Sequence, residues 1–254
     1  EAVGSFPDSL FERLGDLGFL GLHYPERWGG SGGDLAAGLL LMEELGRCGA
    51  GGISMAVGVQ THMATPALAE FGTDEQRETY LRPAIAGRRI AAIAITEPDA
   101  GSDVAAIRTR ANRDGDEWIV NGTKLYITNG VRADFLTCVV KTDAAADHRG
   151  VSLMLIDTDL PGVSVSRKLD KLGMRSSDTA EIALEDVRVP HDRIIGGTPG
   201  EGFAQLMWQL QYERLSGAAA GIGQMDRTLE ITIEFAKARH AFGRPIAQHQ
   251  VIAH

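Results

Sequence analysis

The stretch Arg108–Thr128, "RTRANRDGDEWIVNGTKLYIT", carries two turn dipeptides and decides the fold class of the middle of the chain. Asp114-Gly115 and Asn121-Gly122 both favour the positive φ angles of tight primed turns, so each is a hairpin signal. Four further short strands are predicted downstream, without helical periodicity between them: "DFLTCVVKT", "GVSLMLIDT", "VSVSRKL" and "AEIALEDVRVP". Strands spaced this closely predict an antiparallel barrel or sandwich.

The residues that precede this β region have the signals of helices. Leucines recur at helical spacing over Leu10–Leu17, after the helix-start signal Pro7-Asp8. Asp34 is placed to cap a second, largely apolar helix. Thr73 and Gln76 have the spacing of a capping box. We therefore predict an N-terminal helical domain over residues 1–90 and a middle β domain over residues 91–197.

The residues that follow the β region return to a helical pattern. No proline occurs from Phe203 to His240, which predicts one helix of roughly 37 residues, or about 55 Å. Its small-residue stretch Gly217–Gly223, "GAAAGIG", predicts close helix packing rather than phosphate binding. One long helix cannot bury its own apolar side chains, so more chain or another subunit should cover it. Residues 198–254 are therefore predicted to be the start of an incomplete, truncated C-terminal helical bundle, and the fold class to be α+β multidomain.

Composition excludes several functional classes. The 254 residues are 44% hydrophobic and carry a net charge of −9, which disfavours nucleic acid as a partner. The two cysteines, Cys48 and Cys138, and the seven scattered histidines match no metal spacing, so no metal site is predicted. The cysteine usage fits a reducing compartment, so we expect a cytoplasmic protein, or a mitochondrial matrix protein if the source is eukaryotic. No apolar run approaches the roughly 20 residues that span a bilayer.

Two predicted strand ends combine threonines with turn residues. They are Ile93–Asp103, "IAITEPDAGSD", and Tyr126–Gly130, "YITNG". Together they could present Thr96, Thr128 and backbone N–H groups to one planar polar ligand, and a flavin ring binds to this kind of surface. The alternative is that both are ordinary hairpin corners, whose local turn chemistry explains such clusters.

Glu213 is the candidate base. On a helical wheel it lies on a stripe of leucine, glycine and alanine, which places a carboxylate among apolar neighbours. Burial without a full set of partners raises the pKa of a Glu and makes it a useful base near neutral pH. The alternative is a structural ion pair with Arg214 or with an arginine of a neighbouring helix.

Five segments in order resemble the acyl-CoA dehydrogenase family, and with the N-terminal helices they cover essentially the whole chain. The resemblance implies an FAD enzyme with an N-terminal helical domain, a middle β domain and a C-terminal helical bundle, of which the first helix and most of the bundle are missing here. The five segments are "AITEPDAGSD", "NGTKLYITNG", "KLGMRSSDTAEIALEDVRVP", "YERLSGAAAGIG" and "ARHAFGRPIAQHQ".

The resemblance also implies which residues bind FAD. Ser102 would additionally lie near the CoA arm, Thr128 would lie close to flavin N5, and Tyr126 stands where the family usually has Trp. A second group would reach the FAD of a neighbouring subunit, which implies a homotetramer or at least a dimer. The residues of the same subunit are Ile93, Ile95, Thr96, Gly101, Ser102, Tyr126, Ile127 and Thr128, and those directed at a neighbour are Arg239, Phe242 and Gln250.

The reaction implied by the resemblance is the α,β-dehydrogenation of an acyl-CoA to a trans-2-enoyl-CoA in fatty acid metabolism. Glu213 would remove the α-proton while the β-hydride goes to flavin N5, as in the isovaleryl and long-chain types, whereas most members use a Glu that would lie beyond His254. Arg214 would be a substrate-side residue or one that orients the carboxylate, and Gln211 stands where many relatives carry an Asp near the CoA adenine. Electron-transfer flavoprotein is the implied acceptor.

Two other functions stay open from the sequence. The first is an oxygen-using flavoenzyme, an oxidase or monooxygenase, on the same scaffold. The second is a binding module that kept the fold and lost the chemistry. Retention of Thr96, Thr128 and Glu213 argues against the second.

Overall fold

The computed structural model describes residues 3–254, and in it helices are followed by a curled β-sheet and one long helix. The helices are α1 (Ser9–Asp16), α2 (Leu35–Arg47), α3 (Gly51–Gly58), α4 (Pro66–Phe71), α5 (Asp74–Gln76), α6 (Arg82–Ile85), α7 (Gly202–Ala238) and α8 (Gln250–Ala253). The strands are β1 (Ala91–Ala94), β2 (Arg110–Asp114), β3 (Glu117–Thr128), β4 (Phe135–Lys141), β5 (Val151–Asp157), β6 (Val163–Lys168), β7 (Thr179–Pro190), β8 (His240–Ala241) and β9 (Arg244–Pro245).

The N-terminal helices begin where their capping signals predict. The Asp34 carboxylate accepts the Ala37 N–H at 3.2 Å at the start of α2. Thr73 and Gln76 form both bonds of the predicted capping box. The predicted leucine stripe of α1 is wrong at its C-terminal end. Leu17 lies beyond the helix, and 61% of its surface is exposed. Phe11 is the buried residue of α1 instead.

The middle of the chain forms a seven-stranded sheet in the order β1-β4-β2-β3-β7-β6, with β5 on β4. The hairpin predicted at Asp114-Gly115 is confirmed, because it joins the antiparallel strands β2 and β3. The sheet is mixed rather than purely antiparallel, since β1 runs parallel to β4 and β2 meets β4 in parallel at Arg110 and Lys141. The β2–β3 hairpin lies between β1 and β4 along the chain. It allows β4 to run in the same direction as β1.

The hairpin predicted at Asn121-Gly122 is wrong, because β3 continues through both residues. Asn121 instead binds Asp186 of β7 through two hydrogen bonds of 2.9 Å. Asp186 has a φ of 50° and lies at a bulge of β7. A side chain at Gly122 would clash with Thr109, so this glycine serves close strand packing rather than a turn.

Helix α7 confirms the predicted long helix, since it runs for 37 residues. It crosses α2 at Gly46 and Gly223, where an added Cβ would clash with the backbone of Ala220 and of Glu43 respectively. The Arg47 guanidinium adds an ion pair to Asp226 at 2.6 Å across the same crossing. Within "GAAAGIG", Ala220 and Gly223 therefore permit close helix packing, as predicted, whereas Gly217 and Gly221 have nothing within 4 Å of an added Cβ.

Two buried amides fasten the helical layer to the sheet. Gln60 donates to the carbonyls of Ala84 and Arg89 at 3.0 and 2.8 Å and accepts the Ala91 N–H at 2.7 Å. Asn129 donates to the Ala56 carbonyl at 3.0 Å. Because each buried amide binds backbone on both sides of the junction, it fixes the start of β1 against the helices.

Two broad features of the described residues bear on function. Among residues 3–254, no helix combines the length and apolar character that a bilayer crossing requires. The same part of the chain holds no group of three or more His, Cys, Asp or Glu side chains arranged for a metal ion.

Candidate functional site

The two threonine-rich strand ends lie side by side. The Leu125 N–H donates to the Thr96 carbonyl at 2.8 Å, and the Thr96 hydroxyl donates back to the Leu125 carbonyl. These bonds join the end of β1 to β3 just before Tyr126. The structure thus brings the two predicted segments into one surface, although they are separated by about 30 residues of sequence.

Tyr126 stands out from this surface because of a β-bulge. The pairing of β3 with β7 slips by one residue between Lys124 and Ile127, and Tyr126 has a φ of 63°. A bulge re-aims a side chain away from the regular alternation of a strand. The Tyr126 side chain is 66% exposed, whereas that of Ile127 is buried in the sheet core. Ile127 can therefore offer a ligand only its backbone atoms.

A buried ion pair between Lys124 and Glu97 links the two strand ends. This pair was not predicted from the sequence. Lys124 is fully buried, and its ammonium donates to Glu97 at 2.8 Å and to the Ile95 carbonyl at 3.0 Å. Glu97 also accepts from the Thr109 N–H and hydroxyl at 3.0 and 2.6 Å. Burial alone would raise the pKa of Glu97, but the Lys124 charge and these donors lower it. The signal available in the sequence was one charged residue near each predicted segment, Glu97 just after β1 and Lys124 within β3.

The other predicted FAD residues differ in exposure. Ile93 and Ile95 are partly buried against the core that the helices and sheet share. Thr128 is half-buried at the last position of β3. Gly101 and Ser102 are exposed, and an added Cβ at Gly101 would meet nothing within 4 Å. This edge therefore presents the Thr128 side chain and the exposed Gly101 and Ser102, while the two isoleucines pack toward the core.

Glu213 lies on the inward side of α7, as the wheel predicted. It is half-buried, and its Oε2 atom is buried without a hydrogen-bond partner. Among the described residues it forms no ion pair within 4.0 Å, which disfavours the structural ion pair. Burial raises the pKa of Glu213, and the neighbouring Arg214 charge opposes this only in part. Glu213 is therefore a stronger base than an exposed glutamate.

An apolar slot opens one helical turn beyond Glu213. Its cavity volume is about 120 Å³, and Ser216 and Gly217 of α7 contribute to its wall. Four methionines also line it: Met42, Met55, Met63 and Met174. Methionine is flexible and polarisable, so such a wall adapts to the shape of an apolar guest.

The remaining predicted residues are exposed and lie apart from one another. Gln211 and Arg214 are exposed on α7 beside Glu213. Arg239, Phe242 and Gln250 are exposed at the far end of the same helix and beyond it, with 94% of Phe242 exposed. About 26 helical residues, or roughly 39 Å, separate Glu213 from Arg239 along α7, so this second group lies far from Glu213 of its own chain.

Comparison with known proteins gives matches along the whole chain. Profiles of the acyl-CoA dehydrogenase N-terminal, middle and C-terminal domains match residues 1–88, 92–187 and 200–254. A probable acyl-CoA dehydrogenase of Bacillus subtilis, YngJ, is 39% identical over 99% of this chain and 66% of its own length. The chain spans between 57% and 66% of the length of the curated relatives it matches.

Two solved structures are close in fold. A probable acyl-CoA dehydrogenase from Mycobacterium abscessus superposes with a TM-score of 0.95 at 44% identity, over 100% of this chain and 67% of that one. The prolyl acyl carrier protein oxidase AnaB superposes with a TM-score of 0.93 at 33% identity, over 99% of this chain and 67% of that one.

Proposed function

This chain belongs to the acyl-CoA dehydrogenase family, and on that premise we propose that it takes part in FAD-dependent α,β-dehydrogenation of an acyl-CoA thioester. The matched profiles confirm the family resemblance and the fold class. The single observation that carries the proposed chemistry is the buried, unpartnered Oε2 of Glu213. A carboxylate in that state lacks the partners that would hold it in a purely structural role.

The residues present fit an FAD at the joined strand ends. Thr128 offers a hydroxyl for the polar edge of the ring, and the exposed Tyr126 offers an aromatic cover. The Thr96 hydroxyl can only accept there, because it donates its hydrogen to the Leu125 carbonyl. Gly101 leaves room for close approach, since a Cβ there would meet nothing. When bound, FAD supplies the hydride acceptor of the reaction.

Glu213 removes the α-proton in this proposal. Its apolar surroundings raise the proton affinity of the carboxylate, which suits transfer from the weakly acidic carbon next to a thioester carbonyl. The proton moves to the unpartnered oxygen, so no existing hydrogen bond has to break. Exclusion of water by the apolar wall keeps the carboxylate in its poised state.

The methionine slot accommodates the apolar end of the acyl group. Its volume of about 120 Å³ is of the order of the 150 Å³ cavity that holds one benzene ring. A short or branched acyl chain fits such a space better than a long one. Gln211 and Arg214, exposed on the same helix, contact the CoA part of the substrate in this proposal.

The test is flavin bleaching under anaerobic conditions with a panel of acyl-CoAs. We expect Glu213→Gln to slow bleaching by about 10² to 10⁴-fold, which is the contribution of a general base, while FAD content is unchanged. Glu234→Gln, an exposed glutamate of the same helix, is the matched control and should bleach like wild type. Undiminished bleaching by Glu213→Gln would move the base to another residue.

An oxygen-using flavoenzyme is the second candidate, and the structural likeness to the oxidase AnaB favours it. The two functions differ in the fate of the reduced flavin. Slow reoxidation in air, with fast transfer to an electron-transfer flavoprotein, supports the dehydrogenase. Rapid release of peroxide supports the oxidase.

The assembly that fits this function is a homotetramer or dimer in which one subunit completes the FAD site of another. Arg239, Phe242 and Gln250 are exposed and lie beyond the end of α7, far from Glu213 of their own chain. Arginine and an aromatic ring suit the phosphates and adenine of the dinucleotide. The cytoplasm, or the mitochondrial matrix in a eukaryote, stays the predicted compartment.

A further inference from the structure

A second cavity, of about 310 Å³, lies between the start of α2, α4 and the first half of α7. Trp208 and Tyr212 of α7 form one wall, and His23 and Tyr24 contribute to the rest of the lining. Trp208 and Tyr212 point about 140° and 100° around the helix from Glu213 at 100° per residue. The cavity therefore lies on a different flank of α7 from the methionine slot, and the function proposed above does not use it.

Two pairs of aromatic rings line this cavity. The Trp208 and Tyr212 rings lie 4.8 Å apart between centroids, and their planes are inclined by 58°. The His23 and Tyr24 rings lie 4.3 Å apart. Trp208 and Tyr212 are half-buried, so part of each side chain remains accessible to a ligand. The face of an aromatic ring attracts a cation, and tryptophan does so most strongly.

The acidic side chains of the cavity favour a ligand of positive charge. Asp34 and Glu70 are exposed residues of its lining. The Asp34 carboxylate accepts the Ala37 N–H, and in the described part of the chain neither carboxylate forms an ion pair. No Lys or Arg is among the described residues that line the cavity. The lining therefore carries net negative charge, which attracts a cation and repels an anion such as a phosphate.

The neighbouring basic side chains do not offset this negative charge. Burial lowers the pKa of His23 to about 4 and that of His62 to about 3, so both rings are neutral near pH 7. The His62 Nε2 atom is buried without a partner and faces Gly38 of α2, so it does not reach a ligand in the cavity. Arg77 donates to two carbonyls of α4, but it is paired with Asp74 at 2.9 Å and does not line the cavity.

We propose that this cavity binds a small quaternary ammonium compound, with the charged group against the Trp208 and Tyr212 rings and balanced by Asp34 and Glu70. Such a group has no N–H to satisfy and packs its methyl groups on the ring faces, whereas a primary ammonium carries three donors that need acceptors. A trimethylammonium group has about the bulk of a benzene ring, which fits a cavity of about 150 Å³. The cavity of about 310 Å³ therefore also holds a short chain attached to that group.

The experiment compares choline with its neutral analogue, in which a tert-butyl group replaces the trimethylammonium group. The two probes have the same shape and differ in charge. Calorimetric titration of the protein should show saturable choline binding. The neutral analogue should bind at least about fivefold more weakly, the loss expected when a partly desolvated contact between a cation and aromatic rings is removed. Trp208→Leu should reduce this difference, because leucine fills space without offering a ring face.

Removal of the two carboxylates tests the charge balance. Asp34→Asn/Glu70→Gln keeps the shape of both side chains, and asparagine preserves the cap of α2. This double variant should weaken choline binding by about threefold or more and leave binding of the neutral analogue unchanged. Glu185→Gln/Glu234→Gln, which removes two exposed carboxylates elsewhere, is the matched control and should bind choline like wild type.

The proposal is overturned by equal affinity for the two probes, by the absence of saturable choline binding, or by wild-type choline affinity in Asp34→Asn/Glu70→Gln. An undiminished difference between the probes in Trp208→Leu would also overturn it. Should Trp208→Leu fail to fold, the carboxylate variant and the comparison of the two probes on the wild-type protein decide. The titration requires no acyl-CoA turnover, so failure of the proposed function and failure of this proposal are separable.

Discussion

His62 shows at the scale of one residue how burial couples stability to pH. Its folded-state pKa of about 3 lies below the ordinary value of 6.5, because burial disfavours the charged ring. The unfolded chain therefore binds a proton below pH 6.5 that the folded chain rejects. Stability is fully present above pH 6.5 and is lost as the pH falls toward about 3.

We expect the protein to lose about 2 kcal/mol of unfolding free energy through His62 between pH 7 and pH 5. Urea titrations at the two pH values measure the loss. His62→Gln should show a correspondingly smaller loss, because its side chain does not titrate. An equal loss in the two proteins would contradict the assignment of this acid sensitivity to His62.

Single residues also show what the sequence could and could not predict about the site. The burial of Glu213 follows from the wheel of its own helix, so periodicity was sufficient. The unpartnered nitrogen of His62 depends on Thr61, on His23 and on α2 lying across the ring, where a side chain at Gly38 would clash with it. That arrangement is set by contacts distant in sequence, which no local pattern records.

At the scale of elements, the Lys124–Glu97 pair determines how the ends of β1 and β3 meet. Removing one partner leaves an uncompensated buried charge, which costs about 3 to 5 kcal/mol. We expect Lys124→Met to lower the unfolding free energy by that amount and to weaken FAD binding, as measured by denaturant titration and flavin content. The matched control is Arg108→Met, which removes an exposed pair to Asp99 and should cost less than about 1 kcal/mol.

Combining Lys124→Met with Glu97→Leu shows whether the lost stability comes from an unpaired buried charge or from lost packing. The double variant removes both buried charges, so it should be more stable than Lys124→Met alone, although the Thr109 donors lose their acceptor. If the double variant is instead less stable by the full sum of the single changes, the two residues are not coupled.

The crossing of α2 and α7 depends on two glycines. Gly223→Ala should destabilise the protein by about 1 to 3 kcal/mol, because the added methyl group clashes with the Glu43 backbone. Gly221→Ala lies two residues away, where an added Cβ meets nothing within 4 Å, and should stabilise α7 by about 0.5 to 1 kcal/mol. Thermal unfolding of both variants checks the opposite signs. A loss of stability in both would point to the helix as a whole rather than the crossing.

Elements whose signals are local were predictable, and those decided by a partner were not. The caps at Asp34 and Thr73 and the Asp114-Gly115 turn need only neighbouring residues, and each is present. Asn121-Gly122 has an equally good turn sequence, but β7 pairs along it and its bulge at Asp186 takes up the Asn121 side chain. The parallel pairing of β1 with β4 likewise depends on residues more than 40 positions apart.

At the scale of the whole molecule, α7 extends well beyond the core that positions Glu213. Its second half exposes large apolar side chains, and the segment that follows exposes Phe242. Many exposed apolar side chains on one element are typical of a surface that packs against further protein. The length of α7 between Glu213 and Arg239 keeps the two groups of predicted site residues apart within one chain. A site that uses both groups therefore takes Glu213 from one copy and Arg239 from another.

Sharing of this kind predicts complementation between two defective variants. Glu213→Gln lacks the base but keeps Arg239, and Arg239→Glu lacks the contact to the neighbouring FAD but keeps Glu213. Co-expressed, they should form mixed assemblies with about a quarter of the wild-type activity, because half of the subunits keep Glu213 and half of their partners keep Arg239. Glu213→Gln co-expressed with the double variant Glu213→Gln/Arg239→Glu is the control and should stay inactive, since no subunit then carries the base. Activity of the mixed assembly no greater than that of the separate variants would place Arg239 outside the partner's site.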